Sequence, residues 1–350
     1  RLGVDWGITD SFRLRSVYST GFRAPNLVEQ FTQASTFPIT ENWCEFTDLR
    51  NDITDTIRDN CGALGYDGLY EQGFQYQANL AQTAAADDLQ PEESTNFSLG
   101  LVVTPTALPN MRLSLDYFDI EVDDYIDLPD INFMAYTCLD SANFSAAACD
   151  VFSSPYGGDP GTGIEVSDIG LMQDASTPLE NLGTLTTSGI DFAFDYFWDI
   201  NLGNASTLDF TIAGTWLNEY EKDFGALGKI DYKGTAGGNY GVSVFPEWSV
   251  NTNLALNADN WSVAWRMRYL DESKDLYRPA NITDDGVAED ILVHDLTASY
   301  AIGSFDFILG VDNVTNEEPS QFHSGFEYHT APGVYDTIGR YYWFKLTANF

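Results

Sequence analysis

Four cysteines are the residues whose spacing most directly predicts chemistry. Cys44 and Cys61 fall in the connection 23–91, and Cys138 and Cys149 fall in the connection 124–183. Two pairs, each inside one long loop, predict two local disulfides in an oxidising compartment, each contributing roughly 3 kcal/mol in the chain-entropy model. Pairing between the two loops and four free thiols are the alternatives. A zinc site is not expected, because no CxxC pair or nearby His completes one.

The three histidines give no catalytic constellation. No GxSxG motif occurs, and no nucleophile–His–acid set is legible around His294, His323 or His329. His323 and His329 are expected to be surface residues of the last long loop. We therefore do not expect an enzyme.

Acidic side chains dominate the charge. With 16 basic and 53 acidic residues, the net charge is 16 − 53 = −37, which excludes a nucleic-acid partner because phosphate binding needs a cationic face. Acids this dense outside the strands indicate divalent cations, either bridging lipopolysaccharide or held in loops as structural Ca²⁺. No EF-hand spacing occurs, and solvated loop charge is the alternative. The acids concerned are Asp48, Asp52, Asp55, Asp59, Asp87, Asp88, Asp123, Asp124, Asp284, Asp285, Glu289, Asp290, Glu317 and Glu318.

Aromatic and amide side chains alternate in the segment GYDGLYEQGFQYQANLAQ of the connection 23–91. Flat rings beside amide groups suit stacking and hydrogen bonding to a neutral polar ligand such as a sugar. Packing of the loop as a lid is the alternative. The predicted ligand-binding residues are Tyr66, Tyr70, Gln72, Tyr76 and Gln77.

Basic side chains are sparse in the loops, and acidic loops repel anions, so a ligand that is neutral or arrives with a cation is favoured over a bare anionic chelate. Arg266 and Arg268 lie on a predicted strand. We expect them to pair with carboxylates of the sheet or with another domain rather than with ligand.

The elements that must position these residues are strands. Apolar and polar residues alternate with period two from end to end, most clearly at Trp261, Val263, Trp265, Met267 and Tyr269. No apolar run approaches the ~20 residues of a membrane helix. The alternation predicts about eleven strands, near 1–9, 11–22, 92–104, 111–123, 184–198, 206–221, 247–257, 260–271, 289–302, 304–313 and 337–350.

The connections alternate strictly between short and long. This segregation is typical of a transmembrane antiparallel β-barrel, which has short turns at one end and long extracellular loops at the other. A soluble β-sandwich is the alternative. In a barrel the apolar face meets lipid, and the other face, with its Asp, Arg, Ser, Asn and Thr, suits a wet lumen. We predict that Trp261, Trp265, Phe192, Phe194 and Leu115 face lipid.

The end of the chain carries a further signal. Tyr342, Phe344, Leu346 and the terminal Phe350 alternate with polar residues. This final strand resembles the signal that the bacterial barrel-assembly machinery reads.

Six segments in order resemble the TonB-dependent outer-membrane receptor family. They are GFRAPNLVEQF (Gly21–Phe31), PEESTNFSLGL (Pro91–Leu101), SLDYFDIEVDDYI (114–126), NLGTLTTSGIDFAFDYF (181–197), LGVDNVTNEEP (309–319) and GRYYWFKLTANF (339–350).

The resemblance implies a 22-stranded barrel in the outer membrane of a Gram-negative bacterium. Single-chain bacterial barrels have even strand numbers, so eleven strands are expected to be the C-terminal half. Residues 1–350 would then lack the N-terminal plug, the TonB-contacting box and the first half of the barrel.

The implied function is uptake of a large scarce nutrient, of the oligosaccharide, ferric siderophore or cobalamin class, with energy coupled through TonB. A passive porin or diffusion channel is the alternative.

Overall fold

The computed structural model has one dominant sheet of eleven antiparallel strands, which pair in chain order. This confirms the strand number and order predicted from the alternation. The structure describes residues 1–31, 35–39, 43–44, 54–65, 78–82, 89–128, 130–152, 175–176, 179–202, 204–237, 243–276, 286–322 and 329–349. The strands are Leu2–Thr9 (β1), Phe12–Arg23 (β2), Glu92–Val103 (β3), Met111–Asp123 (β4), Thr184–Leu202 (β5), Asn204–Asp223 (β6), Trp248–Asn257 (β7), Trp261–Leu270 (β8), Ile291–Ile302 (β9), Phe305–Asp312 (β10) and Tyr341–Ala348 (β11).

The register places the apolar residues of neighbouring strands on one face of the sheet. Leu115 of β4 pairs with Phe192 of β5, and Trp265 of β8 pairs with Leu254 of β7 and Leu296 of β9. Side chains alternate between the two faces along each strand, and residues paired on adjacent strands lie on the same face. Following these pairs from strand to strand therefore shows which face of the sheet each residue occupies. All five residues predicted to face lipid lie on this apolar face.

The final strand is shorter than predicted. It begins at Tyr341 rather than at residue 337. Gly339 has a φ of 73°, and the carboxylate of Asp336 accepts a hydrogen bond from the backbone N–H of Ile338. The chain therefore turns here and enters the sheet only after Arg340, whose N–H donates to the side chain of Asn316.

The connections segregate by length, as predicted. Those at one end, such as Asp10–Ser11 and Gly303–Ser304, are short turns, and Gly303 has a φ of 57° that suits glycine. At the other end the connections are long and carry structure of their own. No helix in the described part of the chain is long and apolar enough to cross a bilayer.

In the described parts of the long connections there are three α-helices, and side chains cap their first turns. They are Leu27–Phe31 (α1), Asp55–Ala63 (α2) and Ile131–Leu139 (α3). At α1, Asn26 and Glu29 form a reciprocal capping box. Thr54 caps α2, and Asp130 caps α3 by accepting from the N–H groups of Asn132 and Phe133.

The remaining elements of the connections are short. The 3₁₀ helices are Ala142–Phe144, Ala147–Phe152 and Gly225–Leu227. Lys229–Asp231 pairs with the end of β6. Among the described residues, three small sheets join Ser35–Ile39, Ala78–Gln82 and Ala175–Ser176; Ile126–Asp127 and Glu180–Asn181; and Thr235–Gly237, Ser243–Phe245, Ser273–Asp275 and Val287–Ala288.

The hydrophobic core lies mainly in this layer of long connections. One cluster packs α2 against α3 and includes all four cysteines, joined as Cys44–Cys61 and Cys138–Cys149. The structure therefore contains both predicted disulfides. Large apolar residues of the sheet face are instead exposed, as expected where that face meets lipid rather than a protein core.

Candidate functional site

The second face of the sheet is a polar wall. Arg15 of β2 donates two hydrogen bonds to Asp116 of β4, from Nε at 2.9 Å and from Nη2 at 2.6 Å. The two side chains meet over Gly100 of β3, which pairs with both residues and has no side chain to obstruct them. Thr215 likewise donates to Asp191 at 2.6 Å. Ion pairs and hydroxyl–carboxylate bonds of this kind suit a water-filled lumen.

A network on β8 and β9 holds the two arginines that the sequence analysis singled out. Arg266 donates to Asp295 from Nε and Nη2, at 2.8 and 2.6 Å. Asp295 is 4% exposed and also accepts from the backbone N–H of Asn313 at 2.9 Å. Arg268 approaches the same carboxylate, with its Nε 3.6 Å away. The predicted pairing with a carboxylate of the sheet is therefore confirmed for Arg266, and Arg268 lies close to the same carboxylate without a hydrogen bond to it.

Asn313 has a structural role that explains its place in LGVDNVTNEEP, one of the segments that resemble the family. Its φ is 53°, a left-handed conformation that Asn tolerates better than most residues. Its side chain donates to the backbone of Glu317 and accepts from the N–H of Glu317, so the turn after β10 is closed by side-chain hydrogen bonds. The segment LGVDNVTNEEP thus anchors the last long connection to Asp295.

A cavity of about 130 Å³ lies beside this network, at the end of the sheet that carries the long connections. Its floor is the polar face of β7, β8 and β9, and its roof is the segment 334–336. The lining residues are Ser249, Asn251, Arg268, Tyr269, Leu270, Ile291, Val293, Val334, Tyr335 and Asp336.

The roof is held by an apolar cluster. Tyr335 is 3% exposed and packs in a cluster with Ile291, Val293 and Phe322. Burial raises the pKa of Tyr335 to about 12, so its hydroxyl stays protonated at neutral pH. Sequence reasoning missed this site, because its members lie up to 87 positions apart and only the fold brings them together.

A second cluster joins two of the long connections at the outer end of β6. The ammonium of Lys222 donates to Asp127 at 2.5 Å and lies 5.2 Å and 5.5 Å from the ring centres of Tyr125 and Tyr232. Burial raises the pKa of the Tyr232 hydroxyl. The cation is paired and packed against rings, so we assign it a structural role.

The predicted ligand residues Tyr66, Tyr70, Gln72, Tyr76 and Gln77 lie outside the described residues, and their role stays a prediction. The same holds for Phe350. Tyr342, Phe344 and Leu346 of the predicted assembly signal lie on β11, on the apolar face and at least half exposed.

The histidines and acidic residues considered as candidates from the sequence lie in different parts of the chain. His294 lies on the apolar face, where its ring stacks on Trp265 and its Nδ1 accepts from the indole N–H at 3.2 Å. Within the described residues no group of three or more His, Cys, Asp or Glu side chains could hold a metal. Structural Ca²⁺ stays a prediction, because Asp48, Asp52, Asp87, Asp88, Asp284 and Asp285 lie outside the described residues.

Comparison with known proteins gives one family. A model of the TonB-dependent receptor-like β-barrel matches residues 1–314. No curated protein sequence matches the chain.

Among solved structures, a mutant of the ferric enterobactin receptor PfeA from Pseudomonas aeruginosa aligns with a TM-score of 0.56 at 16% identity, over 99% of this chain and 39% of its own. The siderophore receptor PirA from Acinetobacter baumannii aligns with a TM-score of 0.54 at 14% identity, over 99% of this chain and 40% of its own. The copper transporter OprC aligns with a TM-score of 0.51 at 14% identity, over 99% and 39%. At these identities the likeness shows the fold alone, and the chain spans about two fifths of those receptors.

Proposed function

Because the chain belongs to the TonB-dependent receptor β-barrel family, we propose that it forms the wall and mouth of a receptor that imports a large scarce nutrient. The observation that carries the proposal is the folded layer of long connections, which stands at one end of a sheet with one apolar and one polar face. Lipid would cover the apolar face, and the polar face would line the path of the cargo.

Residues 1–350 form the C-terminal part of the barrel in this proposal. The receptor lies in the outer membrane of a Gram-negative bacterium, inserted by the barrel-assembly machinery and surrounded by lipopolysaccharide. Energy comes from the TonB complex, which acts through the N-terminal plug. The cargo is of the oligosaccharide, ferric siderophore or cobalamin class.

Contact with the cargo involves the aromatic and amide residues of the first long connection, Tyr66, Tyr70, Gln72, Tyr76 and Gln77. An aromatic contact of ~0.5–1.5 kcal/mol means that Tyr66→Ala or Tyr70→Ala weakens binding several-fold to about tenfold. Arginine and lysine are scarce in a chain of charge −37, which supports a neutral cargo.

The test is uptake by the full-length receptor in a Gram-negative host with and without TonB. Radiolabelled oligosaccharide, cobalamin and ferric siderophore are supplied at nanomolar concentration. The proposal predicts accumulation of one cargo that stops when TonB is deleted or the inner membrane is uncoupled. Uptake that continues without TonB and rises linearly with solute concentration would identify a passive channel instead.

A further inference from the structure

A histidine on the apolar face of the sheet has one ring nitrogen without a partner in the described protein. His294 of β9 pairs with Met267 of β8, and its ring lies on the apolar face beside that of Trp265. Its Nδ1 accepts from the indole N–H of Trp265 at 3.2 Å. Its Nε2 has no hydrogen bond among the described residues, and it is not one of the fully buried polar atoms. This nitrogen is therefore accessible from the apolar side of the sheet.

The tryptophan determines which nitrogen of the imidazole carries the hydrogen atom. In a neutral imidazole one nitrogen donates a hydrogen bond and the other accepts one. Because Nδ1 accepts from Trp265, the hydrogen atom is on Nε2, and Nε2 is a donor. The two rings also stack, with 5.6 Å between their centres and 22° between their planes, so the imidazole is held in one orientation. A ligand of Nε2 must supply a hydrogen-bond acceptor.

Two leucines flank the imidazole on the same face of β9. Leu292 and Leu296 lie two positions before and two positions after His294, so their side chains point the same way. They are 38% and 41% exposed, whereas His294 is less exposed than either. The imidazole therefore lies in a notch between two projecting apolar side chains. Apolar sides and a single donor at the base fit an acyl chain that ends in a carbonyl group.

The depth of the notch agrees with a carbonyl acceptor. β9 begins at Ile291, directly after the exposed Glu289 and Asp290 of a long connection. Four residues of a strand tilted by about 40° span ~10 Å along the membrane normal, so His294 lies ~10 Å below Asp290. The headgroup layer is ~5–8 Å thick. His294 is thus close to the level at which carbonyl groups join acyl chains to the headgroup, whereas phosphates lie further out and the hydrocarbon further in offers no acceptor.

We propose that Leu292, His294 and Leu296 form a binding site for one acyl chain of an outer-leaflet lipid, and that Nε2 of His294 donates to the ester or amide carbonyl of that chain. The site goes beyond the proposed function, because it lies on the outside of the wall and does not involve the cargo. The occupant is lipid rather than a second copy of the protein, because the notch is continuous with the apolar face that lipid covers along the whole sheet.

The test compares two vesicle preparations of the full-length receptor. One contains ester-linked phosphatidylcholine, and the other contains ether-linked phosphatidylcholine with the same headgroup and chain length, so only the first has the carbonyl. The equilibrium constant of urea unfolding is measured for the parent and for His294→Phe. We expect His294→Phe to raise this constant about three- to tenfold more in the ester-linked lipid, because one additional hydrogen bond is lost there. The bond from Trp265 is lost in both lipids and cancels.

Leu309→Ala is the matched control. Leu309 of β10 is 60% exposed and pairs with Ala298 of β9 on the same face. Its replacement removes a contact with lipid but no hydrogen bond, so we expect the same change of the unfolding constant in both lipids.

A second measurement needs no variant. The parent is placed in ester-linked lipid whose carbonyl carbon is ¹³C, and solid-state NMR records magnetisation transfer from the Nε2 proton of His294. This proton is assigned through the bond between the indole N–H of Trp265 and Nδ1 of the same ring. We expect transfer to the labelled carbonyl.

Three results would overturn the site. Equal effects of His294→Phe in the two lipids would exclude the carbonyl and leave the phosphate, which both lipids share, as the acceptor. An effect that grows with the ratio of protein to lipid in both preparations would identify a second copy of the protein as the occupant. Absence of transfer from the Nε2 proton to the labelled carbonyl would show that no such bond forms.

Discussion

A methyl group added at Gly100 of β3 would break the ion pair that Arg15 of β2 and Asp116 of β4 form over this residue. A Cβ built on Gly100 would lie 1.9 Å from Oδ1 of Asp116 and 2.8 Å from Nε of Arg15. Neither distance is tolerable, so alanine at this position and the bidentate pair exclude each other. Both side chains are flexible at their far ends, and the pair separates rather than the sheet.

The size of the effect on the free energy of unfolding follows from the solvent exposure of the two paired side chains. The side chains of Arg15 and Asp116 are 51% and 25% exposed, so the pair is screened by water and contributes at most ~1 kcal/mol. Replacing glycine by alanine in a compatible strand position stabilises by ~0.4–1 kcal/mol through the unfolded state. We expect Gly100→Ala alone to change the free energy of unfolding by under ~0.5 kcal/mol, because these two effects oppose each other.

The double-mutant cycle isolates the effect. In the Asp116→Ala background no pair remains to be broken, and the released Arg15 side chain is free to move away from the added Cβ, which would otherwise lie 2.8 Å from its Nε and 2.9 Å from its Cγ. Gly100→Ala then stabilises by ~0.4–1 kcal/mol, a coupling of about 0.5–1 kcal/mol. The assay is urea unfolding of the full-length receptor in lipid vesicles, read by gel mobility of unheated samples. Gly7→Ala is the control, because nothing lies within 4 Å of its added Cβ. Equal effects of Gly100→Ala in both backgrounds would refute the reasoning.

Three further predictions concern lipid, the loop layer and pH. Trp265→Arg puts a charge on the apolar face and destabilises the folded barrel in vesicles by roughly 2–4 kcal/mol; refolding as complete as that of the parent would show that this face does not meet lipid. Replacing Cys44 and Cys61 by Ser removes a disulfide between residues 17 apart and lowers the stability of the loop layer by ~3 kcal/mol. Hydrogen exchange is therefore expected to become faster in α2. Faster exchange throughout the sheet would contradict a local role. Burial raises the pKa of Glu180, so the stability that its side chain contributes is present at acidic pH and is lost as the pH rises through the folded pKa. Glu180→Gln therefore slows hydrogen exchange of Glu180–Asn181 more at pH 7 than at pH 4. An equal effect at both pH values would count against burial as the cause.

Much of the fold was predictable, because apolar and polar residues alternate along a strand that has one lipid-facing side. The alternation at Trp261, Val263 and Trp265 needs no knowledge of neighbours, and neither does the contrast between short and long connections. The two disulfides were predictable for the same reason, since each joins residues of one loop.

The cavity was not predictable. Asn251, Arg268 and Tyr335 meet only because β7 and β8 pair and because a turn at Asp336 folds the last connection back onto the sheet. Helix α3 was missed for a related reason. Its sequence INFMAYTCL is mostly apolar, with Asn132 and Thr137 as its polar members, so it shows no clear helical period; it is stabilised by packing against α2 and the disulfides.

The account depends centrally on which face of the sheet meets lipid, and two tryptophans test it directly. Trp265 lies on the apolar face, whereas Trp343 lies on the polar face, packed against Gly310. The measurement is fluorescence quenching of the full-length receptor in vesicles whose acyl chains carry bromine, for the parent, Trp265→Phe and Trp343→Phe. The account predicts that Trp265→Phe removes part of the quenchable emission and that Trp343→Phe leaves that part unchanged. Loss of quenchable emission in Trp343→Phe alone would contradict it.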